Sequence, residues 1–192
     1  KGPFTIPLMT IGIKHYQNMR KNSRNKGSRF ERTIAKAWES WTGYKFSRTP
    51  GSGGWAKAKD AMGDLVCTDE KHSRRFPFSI ECKNYQEIKF EHILLGLKSC
   101  KIISFWEQAT KDAKRAGKIP ILIMRYNSMP KGEAFFIVEA GEIDSFLMEN
   151  CSELSRMEIK TSKVHLAVYM FKEIQRLVTY SDVFKYAHKL NK

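Results

Sequence analysis

Apolar residues recur along the chain at two spacings, three-to-four apart and every second residue, and the two patterns come in separate blocks. In residues 28–43, Phe30, Ile34, Ala37, Trp38 and Trp41 fall on one stripe, as in a helix with a single buried side. Ser28-x-x-Glu31 has the form of a capping box at its start, and Gly43 suits its stop. A second helix is expected over 99–116, with Ile102, Ile103, Trp106, Ala109 and Ala113 on one face and Gly117 as its end. Gln108 lies off that stripe, facing either solvent or a site. Strands are expected over 44–48, 62–67, 76–83, 118–126 and 133–139. The run 118–126 is too apolar for a one-faced sheet and calls for a strand buried on both sides.

The polar stretch 68–75 connects two of these strands, 127–132 reads as a turn, and 93–97 as a short helix or cleft wall. The order α-β-β-β-α-β-β then describes an α/β (α+β) protein, a mixed sheet flanked by helices. Beyond residue 139 we expect a helix over 143–149, a strand over 164–171 and a helix over 181–190 capped by Ser181. This C-terminal extension either completes the sheet edge, makes a dimer contact or covers a substrate. With no linker, internal repeat or low-complexity tract, it is expected to pack on the same domain.

A chain of 192 residues with 42% hydrophobic residues can enclose one substantial core. Its charge is less ordinary: the formal net charge is +14, which calls for a polyanionic partner such as nucleic acid. A membrane partner fits poorly, since no apolar run approaches the ~20 residues of a spanning helix. Cys67, Cys82, Cys100 and Cys151 have no zinc-site spacing, so reduced thiols and a cytoplasmic location are expected. Residues 1–25 carry Lys14, His15, Arg20, Lys21 and Arg24 with no acidic residue before Glu31. They read as an irregular basic arm, either a loose tail or a phosphate-binding segment. The glycine-rich loop Thr49-Pro50-Gly51-Ser52-Gly53-Gly54-Trp55, flanked by Arg48, Lys57 and Lys59, is either a DNA-contacting loop or a plain turn with Trp55 in the core.

Candidate chemistry sits on two of the expected strands. Gly63-Asp64 opens one, and Glu81-x-Lys83 follows 17 residues after Asp64 on the next. Alternation puts Glu81 and Lys83 on one face and Ile80 and Cys82 on the other. If the strands pair as a hairpin, Asp64 comes beside Glu81. Adjacent carboxylates repel unless a cation lies between them, and Mg²⁺ takes one or two carboxylates while keeping waters and substrate phosphate. The plainer alternative is a surface hairpin with an ion pair on its wet face. Glu31 likewise has two readings, a helix cap or an acidic group aimed at the site.

Taken in order, these motifs resemble the PD-(D/E)xK nuclease superfamily, and within it the archaeal-type Holliday junction resolvases and their phage relatives. The matching span, 26–138, comprises Lys26-Gly27-Ser28-x-x-Glu31, the Arg48–Gly54 loop, Gly63-Asp64, Glu81-x-Lys83, and a helix with Gln108 leading to Gly117-x-x-Pro120. Gly63 stands where the name-giving motif has proline. The resemblance implies a restriction-endonuclease-like core acting as an Mg²⁺- or Mn²⁺-dependent DNA endonuclease. Asp64, Glu81 and the Cys82 carbonyl would be metal ligands, Lys83 would serve the attacking water, and Glu31 and Gln108 would support the site. Arg24, Lys26, Arg29, Arg48, Ser52, Trp55, Lys57 and Lys59 are the expected DNA contacts. A branched, four-way-junction substrate, a homodimer and a phage-encoded protein acting inside a host cell follow by analogy. The competing readings are a sequence-specific restriction-like or homing endonuclease, and a non-catalytic DNA-binding module on a nuclease-like core.

Overall fold

The run Ile119–Tyr126 forms β4, the middle strand of a seven-stranded sheet, and Ile121, Leu122, Ile123 and Met124 are all fully buried. Burial on both faces is what an uninterrupted apolar run requires. The computed structural model describes residues 9–49, 63–89, 91–95 and 100–190, with backbone alone for 9–24. In chain order the elements are α1 (Met9–Thr42), β1 (Phe46–Arg48), β2 (Leu65–Cys67), β3 (Phe78–Tyr85), α2 (Glu91–Leu94), α3 (Lys101–Ala116), β4, β5 (Phe135–Glu139), α4 (Glu142–Asn150), β6 (Arg156–Lys160), β7 (His165–Met170), α5 (Phe171–Leu177) and α6 (Tyr180–Leu190).

The sheet order is β1-β2-β3-β4-β5-β7-β6. Only β3 and β4 run parallel, in register from Phe78↔Ile119 to Tyr85↔Tyr126; the remaining neighbours are antiparallel. A parallel pair needs a long crossover, which α2 and α3 supply. Helices cover both faces. Phe30, Ile34 and Trp38 of α1, with α4, α5 and α6, pack on Ile80, Cys82, Ile121, Ile123, Phe136 and Tyr169. On the other face Ile102, Trp106 and Ala109 of α3 pack on Leu122, Met124, Ile137 and Val168. The result is an α/β fold with a mixed sheet, consistent with a restriction-endonuclease-like core.

Two expectations need correcting. The first helix does not begin at Ser28: α1 starts at Met9, so residues 9–25 are helical rather than irregular, and Ser28 lies inside the helix. Nothing between Met9 and Gly27 breaks a helix except two isolated glycines, which a long helix tolerates. The Ser28–Glu31 capping box is therefore not used. The C-terminal third also holds two elements that the pattern did not reveal, β6 and α5. Of the three roles open to that region, sheet completion is realised: β7 pairs with β5, and β6 forms the far edge.

Buried polar contacts fasten this extension. Asp144 of α4, 5% exposed, accepts hydrogen bonds from Arg156 Nε at 2.7 Å and Nη2 at 2.9 Å, and from the Tyr169 hydroxyl. Burial alone would raise its carboxyl, but the guanidinium and hydroxyl hold it below the usual carboxylate range. Gln175 Nε2 donates to the Ala37 carbonyl at 2.7 Å, and Trp41 Nε1 to that of Val178 at 2.9 Å, tying α1 to the C-terminal helices. All four cysteines are free thiols. Among the described residues, no helix is long and apolar enough to cross a membrane.

Trp38 is the keystone of the α1 face. It is fully buried and touches the rings of Trp41, Phe46, Phe76, Phe78, Phe171 and Tyr180 at centroid distances of 5.2–6.3 Å. Its indole N–H has no acceptor among the described residues. Trp38→Ala should therefore lower unfolding stability by about 3–5 kcal/mol in urea titrations, and Trp38→Phe by clearly less, because no hydrogen bond is lost.

Candidate active site

The hairpin between β2 and β3 brings the separated acidic motifs together. The two strands pair antiparallel with Leu65 opposite Ile80. Ahead of that pair, the Asp64 N–H donates to the Ile80 carbonyl at 2.8 Å, and the Cys82 N–H donates to Asp64 Oδ2 at 2.8 Å. The next link runs to β1's end: the Thr49 N–H donates to the Asp64 carbonyl at 2.9 Å, and Thr49 Oγ1 to that of Gly63 at 2.7 Å. Asp64 is thus held through its N–H, its carbonyl and its carboxylate.

Gly63 permits this closeness. Its φ is +90°, and a Cβ there would lie 2.7 Å from the Ile80 carbonyl oxygen and 3.1 Å from Ser79 Oγ. Proline, fixed near φ −65°, cannot adopt this backbone, which accounts for the departure from the name-giving motif. The chain reaches the hairpin by a glycine turn instead.

Glu81 does not sit on a wet face. It is 2% exposed, which removes the surface-hairpin reading, and three neighbours address it. Lys83 Nζ donates to Glu81 Oε1, and Gln108 Nε2 of α3 donates to the same oxygen at 2.7 Å. Burial, and then the negative charge of Asp64, push the Glu81 carboxyl up to about 7. Burial also raises Asp64, against the opposing pull of the Cys82 N–H and Lys83. For Lys83, burial works against the charged form, but the Glu81 carboxylate outweighs it and holds the ammonium above its ordinary value. Lys83 Nζ also lies 5.5 Å from the centroid of the Phe105 ring, a cation–π contact.

Glu31 reaches the same region from α1. Its carboxylate accepts from Arg48 Nε, and its charge raises Asp64. Arg48, expected to contact DNA, is thus engaged with Glu31 as an ion pair whose side chains are 34% and 17% exposed. Lys26 donates to the Asn127 side-chain oxygen, while Arg29 is exposed. Arg24 belongs to the part of α1 described by its backbone alone, and Ser52, Trp55, Lys57 and Lys59 lie outside the described residues. Phe105 is the neighbour that motif reading missed. It lies three residues before Gln108 on α3, so the two share a helix face beside the core stripe; that spacing was the available signal.

Two adjacent carboxylates, the buried Glu81 and the half-buried Asp64, both pushed toward neutrality, form a hard-oxygen donor pair that a divalent cation would relieve. Among the described residues no cluster of three or more acidic, histidine or cysteine side chains is assembled as a metal cage. Two carboxylates are the kind of oxygen donors that Mg²⁺ takes while keeping much of its water.

The metal-free site should reveal itself in pH dependence. With its folded pKa near 7 and the ordinary value at 4.5, Glu81 prefers to be protonated in the fold. The stability this contributes is complete below about pH 4.5 and is lost as pH rises through 7, an effect of about 3 kcal/mol. Glu81→Gln should flatten that dependence and raise the melting temperature at pH 8 in EDTA, as thermal melts from pH 5 to 8 would show. Gly63→Ala should lower stability by about 2 kcal/mol or more, through the positive φ and the clash with Ile80, in the same melts.

The chain is similar to "Protein D14" of Escherichia phage T5, with 20% identity over 168 residues that cover 87% of this chain and 100% of that protein. No solved structure matches it. Residues 22–185 match the family described as "Phage putative PDDEXK endonuclease", and the chain belongs to that family.

Proposed function

We propose that the chain is a metal-dependent endonuclease that hydrolyses DNA phosphodiester bonds, with Asp64, Glu81 and Lys83 as its catalytic core. The observation that carries this reading is the juxtaposition of the buried Glu81 carboxylate with the half-buried Asp64 carboxylate and Lys83 ammonium, with Glu81 raised to about 7. A fold gains nothing from that crowding, whereas a phosphoryl-transfer site needs it.

Asp64 and Glu81 would hold Mg²⁺ or Mn²⁺, with the Cys82 carbonyl as a further oxygen donor. Bound there, the cation would polarise a nonbridging phosphoryl oxygen and lower the pKa of its water. The chain's own residues do the rest. Lys83, fixed between Glu81 and the Phe105 ring, presents its remaining ammonium protons where the attacking water and the developing negative charge lie. Gln108 holds Glu81 in one rotamer from α3, so that its second oxygen is left for the cation. Glu31 adds negative charge at the α1 side and is restrained by Arg48. In the step itself the water oxygen forms a bond to phosphorus as the bond to the leaving sugar oxygen breaks.

The net charge of +14 supports a polyanionic substrate bound largely through phosphates, hence a steep salt dependence. We assign the chain a branched substrate, the four-way junction, cut by a homodimer, from the resemblance to junction resolvases and because the sequence shows no helix-turn-helix or zinc-finger pattern. The family and the phage relative support a phage-encoded enzyme.

Cleavage of a labelled four-way junction and of linear duplex in Mg²⁺ tests both levels of the reading. Cutting should require metal and stop in EDTA. Lys83→Ala and Asp64→Asn should each reduce the rate by about 10²–10³-fold without unfolding the protein. Site-specific cutting of duplex with no preference for the junction would replace the resolvase assignment by a restriction-like one. Unchanged activity in both variants would end the nuclease reading.

A further inference from the structure

On the far side of β3 from Glu81, the sheet and α1 enclose a cleft of about 440 Å³. It begins at Asn84, the residue after Lys83, and is walled by Lys26, Arg29 and Thr33 of α1, Arg125 of β4 and Glu133. Asn84 and Arg125 stand opposite each other in the β3–β4 register. Phe30 and Ile34 supply an apolar lining.

The charges in this cleft are unbalanced. Glu133, its acidic group, is already paired with Lys172 at 2.5 Å. Among the described residues, none of Lys26, Arg29 and Arg125 has a carboxylate within ion-pair distance. Burial and the positive charge of Arg125 lower the Lys26 ammonium below its ordinary value, the signature of crowded cations without a counter-ion. Arg125 spends one nitrogen on the Met129 carbonyl at 2.8 Å, but its Nε–H has no acceptor among the described residues. Asn84 Oδ1 is buried and has no donor there. Buried polar atoms are ordinarily satisfied, and these two unpartnered ones belong to residues that line the same cleft.

We propose that this cleft is a sugar–phosphate subsite, which seats the DNA backbone next to the bond being cut. Arg29, Lys26 and Arg125 hold the phosphate, and the Phe30–Ile34 wall meets the sugar. A bare phosphate would leave most of the volume and the apolar lining unused, whereas one nucleotide unit of a continuous strand uses both. The inference rests on the reading of the chain as acting on DNA. It assigns to Asn84 and Arg125 a positioning role that no motif indicated. Because β3 carries Lys83 and Asn84 in succession, about 3.8 Å apart at Cα, a strand anchored in the cleft is brought to the carboxylates in a defined register.

The test is binding in metal-free buffer, read by fluorescence anisotropy of a labelled DNA across a salt series. Arg29→Gln lies on an exposed helix position and should leave the fold intact. It should weaken binding about 3–10-fold and reduce the slope of log affinity against log salt by about 1. Arg125→Gln should do the same if it folds, while Lys163→Gln, in the distant β6–β7 turn, should change neither quantity. Equal losses in all three variants, or no loss with Arg29→Gln, overturn the proposal. So does a wild-type cleft that binds inorganic phosphate while DNA affinity ignores Arg29→Gln, which would make it a small-anion site. Wild-type cleavage in Mg²⁺ separates the two readings. Cleft-dependent binding without any cutting sinks the nuclease reading and leaves the subsite, and cutting with cleft-independent binding sinks the subsite alone.

Discussion

The structure turns on a single backbone junction, the pair of hydrogen bonds that join Asp64 to Ile80 and Cys82. Through them a residue at the end of one short strand is locked beside the middle of a long one. Gly63 is the steric condition for that contact, since any side chain there would strike the Ile80 carbonyl. Once the junction closes, the Asp64 carboxylate is brought toward Glu81, and its negative charge adds to the burial that raises the Glu81 carboxyl. The electrostatic character of the site is therefore a consequence of burial and hairpin geometry together, and its energetic penalty must be carried by the rest of the fold.

That support comes from both faces of the sheet. On one side α3 sets Gln108 against the Glu81 carboxylate and Phe105 under the Lys83 ammonium, while its Ile102, Trp106 and Ala109 face is sealed to the sheet. On the other side α1 packs Trp38 into an aromatic cluster and brings Glu31 with Arg48 to the rim. The C-terminal extension holds α1 in place through Gln175, Val178 and Tyr180, and secures its own sheet edge through the Asp144–Arg156–Tyr169 contacts. It thus acts on the site at a distance, by fixing the helix that reaches it.

The proposed phosphate cleft on one side of β3 and the charge-crowded site on the other would divide the labour expected of an enzyme that acts on a continuous polyanion. Binding through cations and catalysis through carboxylates conflict if they share one pocket, because the opposite charges would neutralise each other. Side-chain alternation along a strand keeps them apart while leaving them adjacent in sequence, with Lys83 on one face and Asn84 on the other.

The sequence by itself determined the strands that carry the motifs, the doubly buried β4, the apolar stripe of α3 and its stop at Gly117, because each follows from a local period or a local backbone requirement. It also determined that Glu81 and Lys83 share a face. The start of α1 was hidden, since Ser28 and Glu31 imitate a cap inside a helix that has no break there. β6, with two exposed apolar or charged positions in a row, has too weak an alternation to be read locally; its existence depends on pairing with β7. Only tertiary structure decided that Glu81 is buried, that Gln108 faces inward, that Arg48 turns to Glu31, and that Asn84 and Arg125 lie side by side on the wall of a cleft. These are contacts between residues far apart along the chain, and their geometry exists only after the sheet and helices have packed.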